Sequence, residues 1–301
     1  QAICHWWCSH NGKSSPVFWL PEYFCNESTR PLRSTEAKIY FYPIRENLNP
    51  DWHRCREVTE GAPPDIFVLV HYFGHAADGP AARKFCDQAN AVLVEDCAHV
   101  LRSTTDIGNQ GDFSFFSPHK FLGVPQGGLL LVNNSAFVEG VRQTVTKFDS
   151  TAPKIKTWLV KRLLQKVLPS LVLRKFSRQG KLGYFEDPKS LPLPVAPRLG
   201  AMARRMIDLA SANLVGIADH RKRNARVLRK YFSDISGCDP LFSDQEEGDA
   251  PYRFALKFNN SEAAEKMFSV FSALGYPVES WPDLPPTVLS SKDENSVALK
   301  Y

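Results

Sequence analysis

Over the first 135 residues, short apolar runs alternate with stretches of helical periodicity, and this alternation limits the possible folds more than any other feature. Runs rich in β-branched and aromatic residues predict strands, and the helical stretches between them predict crossovers between parallel strands. One such unit is clear, because residues 79–90 carry Ala82 and Phe85 on one apolar side between two candidate strands. The candidate strands are Val17 to Leu20, Lys38 to Tyr42, Ile66 to His71, Ala91 to Glu95, Phe113 to Phe116 and Gly128 to Val132. The sequence therefore predicts an α/β fold with a mostly parallel sheet sandwiched by helices.

The pattern changes in the second half of the chain. Residues 154–176 form a basic, apolar stretch with helical spacing, which Pro169 should break or kink. Two interpretations stay open for this stretch, a packed helix with its charges in water and a helix that lies on a membrane surface. The elements expected beyond it are a Pro- and Gly-rich connection over 180–197, a long helix from Leu199 to Phe232 with its charges on a solvated side, a strand from Tyr252 to Phe258, a helix from Ser261 to Leu274 ending at Gly275, and an extended stretch from Pro277 to Pro286.

Composition excludes several classes of protein. The apolar and charged fractions of 43% and 23% are ordinary for a globular chain, which argues against a disordered or fibrous protein. The formal charge of +5 is small and its positive residues are not gathered beside exposed aromatics, so we expect no nucleic acid partner. No apolar run reaches the ~20 residues of a membrane span.

The amino-terminal residues and the cysteines indicate the compartment. The first ten residues lack the basic start and apolar core of a signal peptide. Their pattern is typical of the interior of a helix, so we expect the chain to be a piece of a longer protein. Seven cysteines without a repeating spacing favour a reducing, cytoplasmic location. The residues Cys4, His5, Cys8 and His10 could be zinc ligands, but no second ligand pair follows at a matching spacing, and we expect no metal.

An acidic residue ends the fourth candidate strand, in Val92-Leu93-Val94-Glu95-Asp96-Cys97-Ala98-His99. A carboxylate at the carboxyl end of a parallel strand lies where open α/β sheets bind ligands. Asp96 therefore suits a cofactor contact. The alternative is that Asp96 only caps the following helix.

A single lysine follows the fifth candidate strand, within Gly111-Asp112-Phe113-Ser114-Phe115-Phe116-Ser117-Pro118-His119-Lys120. Its aromatic neighbours should remove Lys120 partly from water, which lowers the pKa of an amine and makes it a better nucleophile toward an aldehyde. A glycine pair, Gly127-Gly128, then permits close approach of the backbone before the next strand. The alternative for Lys120 is a side chain that extends from a loop into water.

Together these segments resemble the DegT/DnrJ-type (StrS-like) sugar aminotransferases, a pyridoxal 5'-phosphate (PLP) dependent family of fold type I. The resemblance implies a mostly parallel, seven-stranded-type sheet sandwiched by helices, with a smaller C-terminal α/β domain. The family's hallmark is an E-D-x-A-(Q/H) strand end, then a G-D…S-F…K segment and a G-G turn. Here these elements read Glu95 to His99, Gly111 to Lys120, and Gly127-Gly128. The resemblance is clear from Val17 to Val132 and looser beyond.

The resemblance implies a role for each matching residue. Lys120 would form the Schiff base with PLP, and Asp96 would pair with the ring nitrogen, which keeps the ring protonated and able to accept electrons. His99 would lie near the phenolic oxygen of the cofactor, with helix capping as the alternative. Phe24 would stack on the cofactor ring, with Tyr23 as the second candidate and ordinary core packing as the third possibility.

The chain departs from the family pattern at the phosphate site. Phe115 stands where the family commonly has a phosphate-binding serine, so Ser114 or Ser117 would offer that hydroxyl instead. The family's Ser-Gly-Thr loop, which cradles the phosphate, would lie before Gln1. We therefore expect residues 1–198 to be a large PLP-binding domain without that loop and with a basic helical insertion at 153–197, and residues 199–301 to be a linking helix and a partial small C-terminal domain.

The activity implied by the resemblance is transfer of an amino group from an amino-acid donor to a keto-sugar acceptor, free or nucleotide-linked. A homodimer is implied as well. The alternative is a catalytically idle relative that serves as a sensor or assembly subunit in polysaccharide biosynthesis. Some relatives have histidine in place of the lysine and dehydrate their substrates, and Lys120 argues against that reaction.

Overall fold

The computed structural model describes residues 1–33, 35–125, 127–148, 155–167, 199–242, 250–280, 284–290 and 296. In these residues a six-stranded sheet has the order β2-β1-β3-β4-β5-β6. Its strands are β1 (Val17–Pro21), β2 (Lys38–Tyr42), β3 (Ile66–Val70), β4 (Val92–Cys97), β5 (Phe113–Phe116) and β6 (Leu129–Val132). Neighbouring strands are parallel except β6, which runs antiparallel to β5. The expected α/β class with a mostly parallel sheet is confirmed.

Helices follow or cover these strands. They are α1 (Ala2–Asn11), α2 (Asn26–Arg33), α3 (Trp52–Thr59), α4 (Gly79–Ala89), α5 (Val138–Thr146), α6 (Ile155–Val167), α7 (Ala201–Ser211), α8 (Leu214–Phe232), α9 (Ser261–Leu274) and α10 (Pro286–Leu289). Short 3-10 turns cover Tyr72–Gly74, Pro118–Lys120 and Ser135–Phe137. A second, antiparallel pair of strands, β7 (Cys238–Pro240) and β8 (Leu256–Phe258), lies in the second part of the chain, residues 199–296.

Local sequence explains where the crossover helix α4 begins and ends. The Asp78 carboxylate accepts the N–H of Ala81 at 3.1 Å, and Pro80 stands in the first turn, where its missing N–H costs nothing. Asn90 ends the helix in the left-handed conformation, with φ of 52°. The helix is therefore fixed at both ends between β3 and β4, and this places the ends of those strands side by side.

The main core surrounds the central strands. Every residue of β3 is buried, as expected for a central parallel strand covered on both faces. Aromatic rings fill one side of it, since Phe67 stacks on Tyr42 at 4.6 Å and contacts Trp52 at 5.8 Å and Phe85 at 5.3 Å between ring centroids. Burying rings of this size contributes roughly 2 to 3 kcal/mol each. The sheet is thus a rigid support for residues at the carboxyl ends of its strands.

Most elements of the first part lie where the sequence predicts them. The bounds of β2 and β5 agree residue for residue, and the other strands shift by one or two residues at an end. In the second part, α9 ends at Gly275 as predicted, with φ of 82°. Within residues 154–176, α6 is confirmed as a helix, whereas Pro169 and the connection over 180–197 lie outside the described residues.

Two predictions in the second part are wrong. The long helix from Leu199 to Phe232 is interrupted, because Asn213 leaves helical geometry with φ of −119° and α8 starts after it. The strand from Tyr252 to Phe258 is shortened to β8, and its first residues lie against the end of the main sheet instead. The extended stretch from Pro277 to Pro286 is described in part, and α10 begins at its last residue.

Among the described residues, no helix combines the length and apolar character needed to cross a membrane. Within the same residues no group of three or more potential ligands could hold a metal ion. Cys4 lies in the core and contacts Thr35, while the ring of His10 stacks on Trp6 at 5.4 Å. These side chains serve packing in α1.

Candidate active site

Asp96 lies near the carboxyl end of β4, beside β5. Its register partner on β5 is Phe115, while its neighbour Glu95 pairs with Ser114, so Asp96 and Glu95 point to opposite faces of the sheet. Asp96 is buried, and its Oδ1 accepts the N–H of Ala98 at 2.9 Å. Within the described residues its second oxygen accepts no hydrogen bond, which leaves one carboxylate oxygen for a ligand.

Lys120 ends the 3-10 turn that follows β5, and it comes close enough to Asp96 for the two charges to interact. Burial lowers the pKa of the Lys120 amine, and the negative charge of Asp96 works in the opposite direction. Burial also raises the pKa of Asp96, against the effects of the Ala98 N–H and the Lys120 charge. An amine and a carboxylate, both partly removed from water, therefore converge at one end of the sheet.

His99 lies beside these two residues in the turn after β4. Its Nδ1 accepts the backbone N–H of Phe73 at 3.3 Å, so the ring proton of the neutral imidazole is on Nε2. Burial, together with the positive charges of Lys120 and Arg253, lowers the pKa of His99 to about 3. At neutral pH His99 is an uncharged donor rather than a cation.

The other face of the sheet carries a buried pair that sequence reasoning missed. Glu95 and His71 are both fully buried, with 2.8 Å between Oε2 and Nε2. The Nδ1 of His71 accepts the N–H of Ala77 at 3.1 Å, so Nε2 carries the proton and donates it to Glu95. Burial would raise the pKa of Glu95, but the hydrogen bond from His71 and those from the N–H groups of Gly111 and Gly108 lower it overall.

These hydrogen bonds fix the segment between β4 and β5. Glu95 accepts three backbone N–H groups at 2.7 to 2.8 Å, from Gly108, Gln110 and Gly111. A carboxylate bound by several donors holds them more firmly than neutral acceptors would. Glu95 thereby sets the entry of β5 and, through β5, the position of Lys120. The signal in the sequence was the acidic pair Glu95-Asp96, of which only Asp96 was assigned a role.

The second part of the chain also contributes to the site, and this too was missed. The ring of Tyr252 stacks on His99 at 4.6 Å with an interplanar angle of 18°, and Lys120 Nζ lies 5.4 Å from its centroid. Arg253 lies over the same ring at 4.3 Å and pairs with Glu279 at 3.0 Å. A strand-like pattern over Tyr252 to Phe258 gave no indication of these contacts.

Arg221 holds the segment around Tyr252 in place. Its Nη1 donates to the carbonyls of Pro251 at 3.1 Å and Tyr252 at 3.0 Å, and its guanidinium lies 4.8 Å from the Phe121 ring. The charged residues of the helix predicted from Leu199 to Phe232, Arg221 among them, were expected on its solvated side, and for Arg221 this prediction is wrong. A guanidinium that donates to two carbonyls can pack against an aromatic face at little cost in hydration free energy.

The residues proposed to stack on a cofactor follow β1. Tyr23 and Phe24 are both buried, and Tyr23 contacts Tyr72 at 5.9 Å between ring centroids. The next residue, Cys25, is close enough to Lys120 to influence the pKa of its amine. The segment thus reaches the site, although these contacts do not distinguish Phe24 from Tyr23.

The structure separates the two candidate serines. Ser114 is fully buried on the face of Glu95, donates to the carbonyl of Gly108 at 2.8 Å and accepts the side-chain amide of Asn133 at 3.1 Å. The Ser114 hydroxyl makes its hydrogen bonds on the face of the sheet opposite Asp96, which argues against the expectation that Ser114 binds phosphate. Ser117 begins the turn that carries Lys120, and its hydroxyl makes no capping hydrogen bond there. Of the two, Ser117 fits a ligand on the Asp96 face.

A comparison with protein families gives a match over part of the chain. Residues 28–158 match the model of the DegT/DnrJ/EryC1/StrS aminotransferase family. Over this segment the chain is similar to that family. It contains Asp96, His99 and Lys120 together with most of the sheet, whereas Tyr23, Phe24 and Tyr252 lie outside it.

Among curated proteins, GDP-perosamine synthase of Vibrio cholerae is 32% identical over 78 residues, 24% of this chain and 21% of that protein. Serine hydroxymethyltransferase of Phytoplasma mali is 21% identical over 206 residues, 65% of this chain and 47% of that protein. The chain thus spans about a fifth and about half of the length of these two relatives.

Solved structures show the same fold. DesV of S. venezuelae, in complex with a ketimine intermediate, superposes with a TM-score of 0.67 at 17% identity, over 99% of this chain and 74% of that chain. An aminotransferase of the DegT family from Brucella abortus gives a TM-score of 0.62 at 15% identity, over 96% and 75%. The chain therefore shares the fold of these two proteins.

Proposed function

We propose that the protein is a PLP-dependent aminotransferase that moves an amino group from an amino-acid donor to a keto sugar, free or nucleotide-linked. The observation that carries this proposal is the convergence of the Lys120 amine and the Asp96 carboxylate at the carboxyl end of β4 and β5. The family match over residues 28–158 supports it. The donor set also fits the cofactor, because one oxygen of a buried Asp96 accepts no hydrogen bond within the described residues.

Each residue has a defined task in this proposal. Bound PLP supplies an aldehyde for the amine and a ring that accepts electrons. Lys120 would bind the aldehyde and, once free, move a proton at Nζ, for which a lowered pKa suits it. Asp96 would hold the proton on the ring nitrogen, and His99 would donate a hydrogen bond to the phenolic oxygen. Ser117 would bind the phosphate, and Phe24 or Tyr23 would cover the ring.

The test is the donor half of the reaction. The protein is incubated with PLP and glutamate, and formation of 2-oxoglutarate is followed in wild type, Lys120→Ala and the control Lys84→Ala, whose lysine is exposed on α4. We expect wild type and the control to form the keto acid and Lys120→Ala to form none. Cofactor binding at Lys120 without keto acid formation from any amino acid would instead support the idle relative, a sensor or assembly subunit in polysaccharide biosynthesis.

The assembly is part of the same proposal. The family resemblance supports a homodimer, with residues 1–198 as the large domain and residues 199–301 as a linking helix and small domain. All seven cysteines are free thiols, which supports a reducing, cytoplasmic location. Analytical ultracentrifugation tests the dimer, and a single species at the 33.9 kDa mass of one chain would refute it.

A weak contact between α6 and an anionic membrane surface is a separate proposal. Leu159, Val160, Leu163 and Leu164 are exposed on this helix, and Arg162 lies over the Trp158 ring at 5.4 Å. Exposed apolar side chains with neighbouring cations are typical of helices that bind anionic lipid. Sedimentation with anionic vesicles at low salt tests the contact, and absence of binding there refutes it.

A further inference from the structure

Three rings form a stack at the edge of the candidate site. Phe73 stacks on His99 at 5.7 Å with an interplanar angle of 24°, and Tyr252 stacks on His99 at 4.6 Å. Two of these rings come from the first part of the chain and Tyr252 from the second. The closer of the two ring contacts on His99 therefore exists because the segment around Tyr252 lies against the end of the main sheet.

The backbone holds this segment at short distances. The N–H of Tyr252 donates to the carbonyl of Phe73 at 2.7 Å. Gly74 permits the approach, because a Cβ there would lie 2.8 Å from the Ala250 carbonyl oxygen and 2.9 Å from that of His99. Its φ of 93° also requires glycine. Together with the two hydrogen bonds from Arg221, these contacts fix the Tyr252 backbone from both sides.

Burial, followed by the surrounding positive charges, determines the protonation state of His99. Lys120 and Arg253 are the charged groups that influence the imidazole, and both disfavour the cation. The N–H of Phe73 occupies Nδ1. A ring stacked face to face on the imidazole keeps water from it, and removal from water also disfavours the cation.

We propose that Tyr252 is a positioning residue of this site, and that its ring holds the imidazole of His99 as a neutral donor through Nε2 beside Lys120. The inference deepens the proposed function and rests on it for its catalytic meaning. Its chemical consequence is that His99 can donate a hydrogen bond to a ligand oxygen without adding a third positive charge next to Lys120 and Arg253. The phenol hydroxyl has no part in this role, which belongs to the ring.

The experiment is nuclear magnetic resonance of ¹⁵N-histidine-labelled protein across a pH titration, with the His99 signals assigned by their loss in His99→Gln. Tyr252→Ala, Tyr252→Phe and the control Tyr231→Ala, which removes an exposed tyrosine of α8, are compared with wild type. In wild type we expect Nδ1 to be unprotonated and Nε2 protonated at neutral pH. Tyr252→Ala should raise the pKa of His99 by at least about one pH unit. Tyr252→Phe and Tyr231→Ala should leave it unchanged.

Two results would overturn the inference. One is a wild-type spectrum with the proton on Nδ1, which needs no variant and so does not depend on the folding of Tyr252→Ala. The other is an unchanged His99 titration in a folded Tyr252→Ala protein. The two proposals can fail separately. If Lys120→Ala forms as much 2-oxoglutarate as wild type, the proposed function fails. If Tyr252→Ala nevertheless raises the pKa of His99, the role of Tyr252 in holding His99 is still supported.

Discussion

Burial disfavours the charged forms of both Asp96 and Lys120, because it raises the pKa of Asp96 and lowers the pKa of Lys120. The charge of each side chain partly offsets the shift in the pKa of the other. Shifted pairs of this kind are more common at reactive sites than elsewhere. The sequence could predict both residues, because a carboxylate at a strand end and a lysine among aromatics are local patterns.

Asp96→Asn should lower the rate of the glutamate half-reaction at least about 100-fold, because an amide cannot hold the proton on the cofactor's ring nitrogen. The rate is measured at saturating PLP, so that weaker cofactor binding does not contribute. The control is Asp234→Asn, which changes an exposed aspartate. Equal rates for Asp96→Asn and the control would remove Asp96 from the mechanism.

Because His99 is neutral in the native state, we expect the free energy of unfolding to depend on pH. Because the pKa of His99 is lowered from its ordinary value of 6.5 to about 3, the unfolded chain binds a proton between these values and the native state does not. This part of the stability is present above pH 6.5 and is lost as the pH falls. Between pH 7 and pH 5, the free energy of unfolding should fall by about 2 kcal/mol more in wild type than in His99→Gln.

Urea unfolding at the two pH values measures this difference. The control is Lys84→Gln, which changes an exposed side chain of α4, leaves His99 in place and should therefore lose the same stability as wild type. A His99→Gln protein with the same loss of stability as wild type would show that His99 is protonated freely in the native state.

At the scale of elements, the strands of the first part were predictable because each is a short apolar run between clear turn residues. The interruption before α8 was not, because apolar spacing continues through Asn213 and only its backbone geometry breaks the helix. The contact of the Tyr252 segment with Phe73 was also not predictable. It depends on a backbone approach at Gly74, and a single sequence gives no distance between residues so far apart.

Gly74→Ala tests that approach. A methyl group there would meet two carbonyl oxygens and a strained φ, so we expect a loss of at least about 2 kcal/mol in the free energy of unfolding. Gly237→Ala is the matched control, because Gly237 has a similar φ of 91° but nothing within 4 Å of an added Cβ. It should lose only about 1 kcal/mol, from backbone strain alone. Equal losses by chemical denaturation would contradict the close packing at Gly74.

At the scale of the whole molecule, the site is assembled from distant stretches of chain. Strand β4 supplies Asp96, the turn after β5 supplies Lys120, the turn after β3 supplies Phe73, and the second part supplies Tyr252. The sequence predicted the contribution of the first part, where chemistry follows directly from strand ends. It could not predict the contribution of the second part, because there the function of a residue depends on how two segments pack.

The central claim is that Lys120 is the amine that receives the cofactor's aldehyde. The most direct measurement is to incubate the protein with PLP, reduce the adduct with borohydride, and locate the pyridoxyl label by peptide mass spectrometry. We predict one labelled residue, Lys120, in wild type and in Lys84→Ala, and no label on the corresponding peptide of Lys120→Ala. A folded wild-type protein that carries the label at another lysine, or carries none, would contradict the claim.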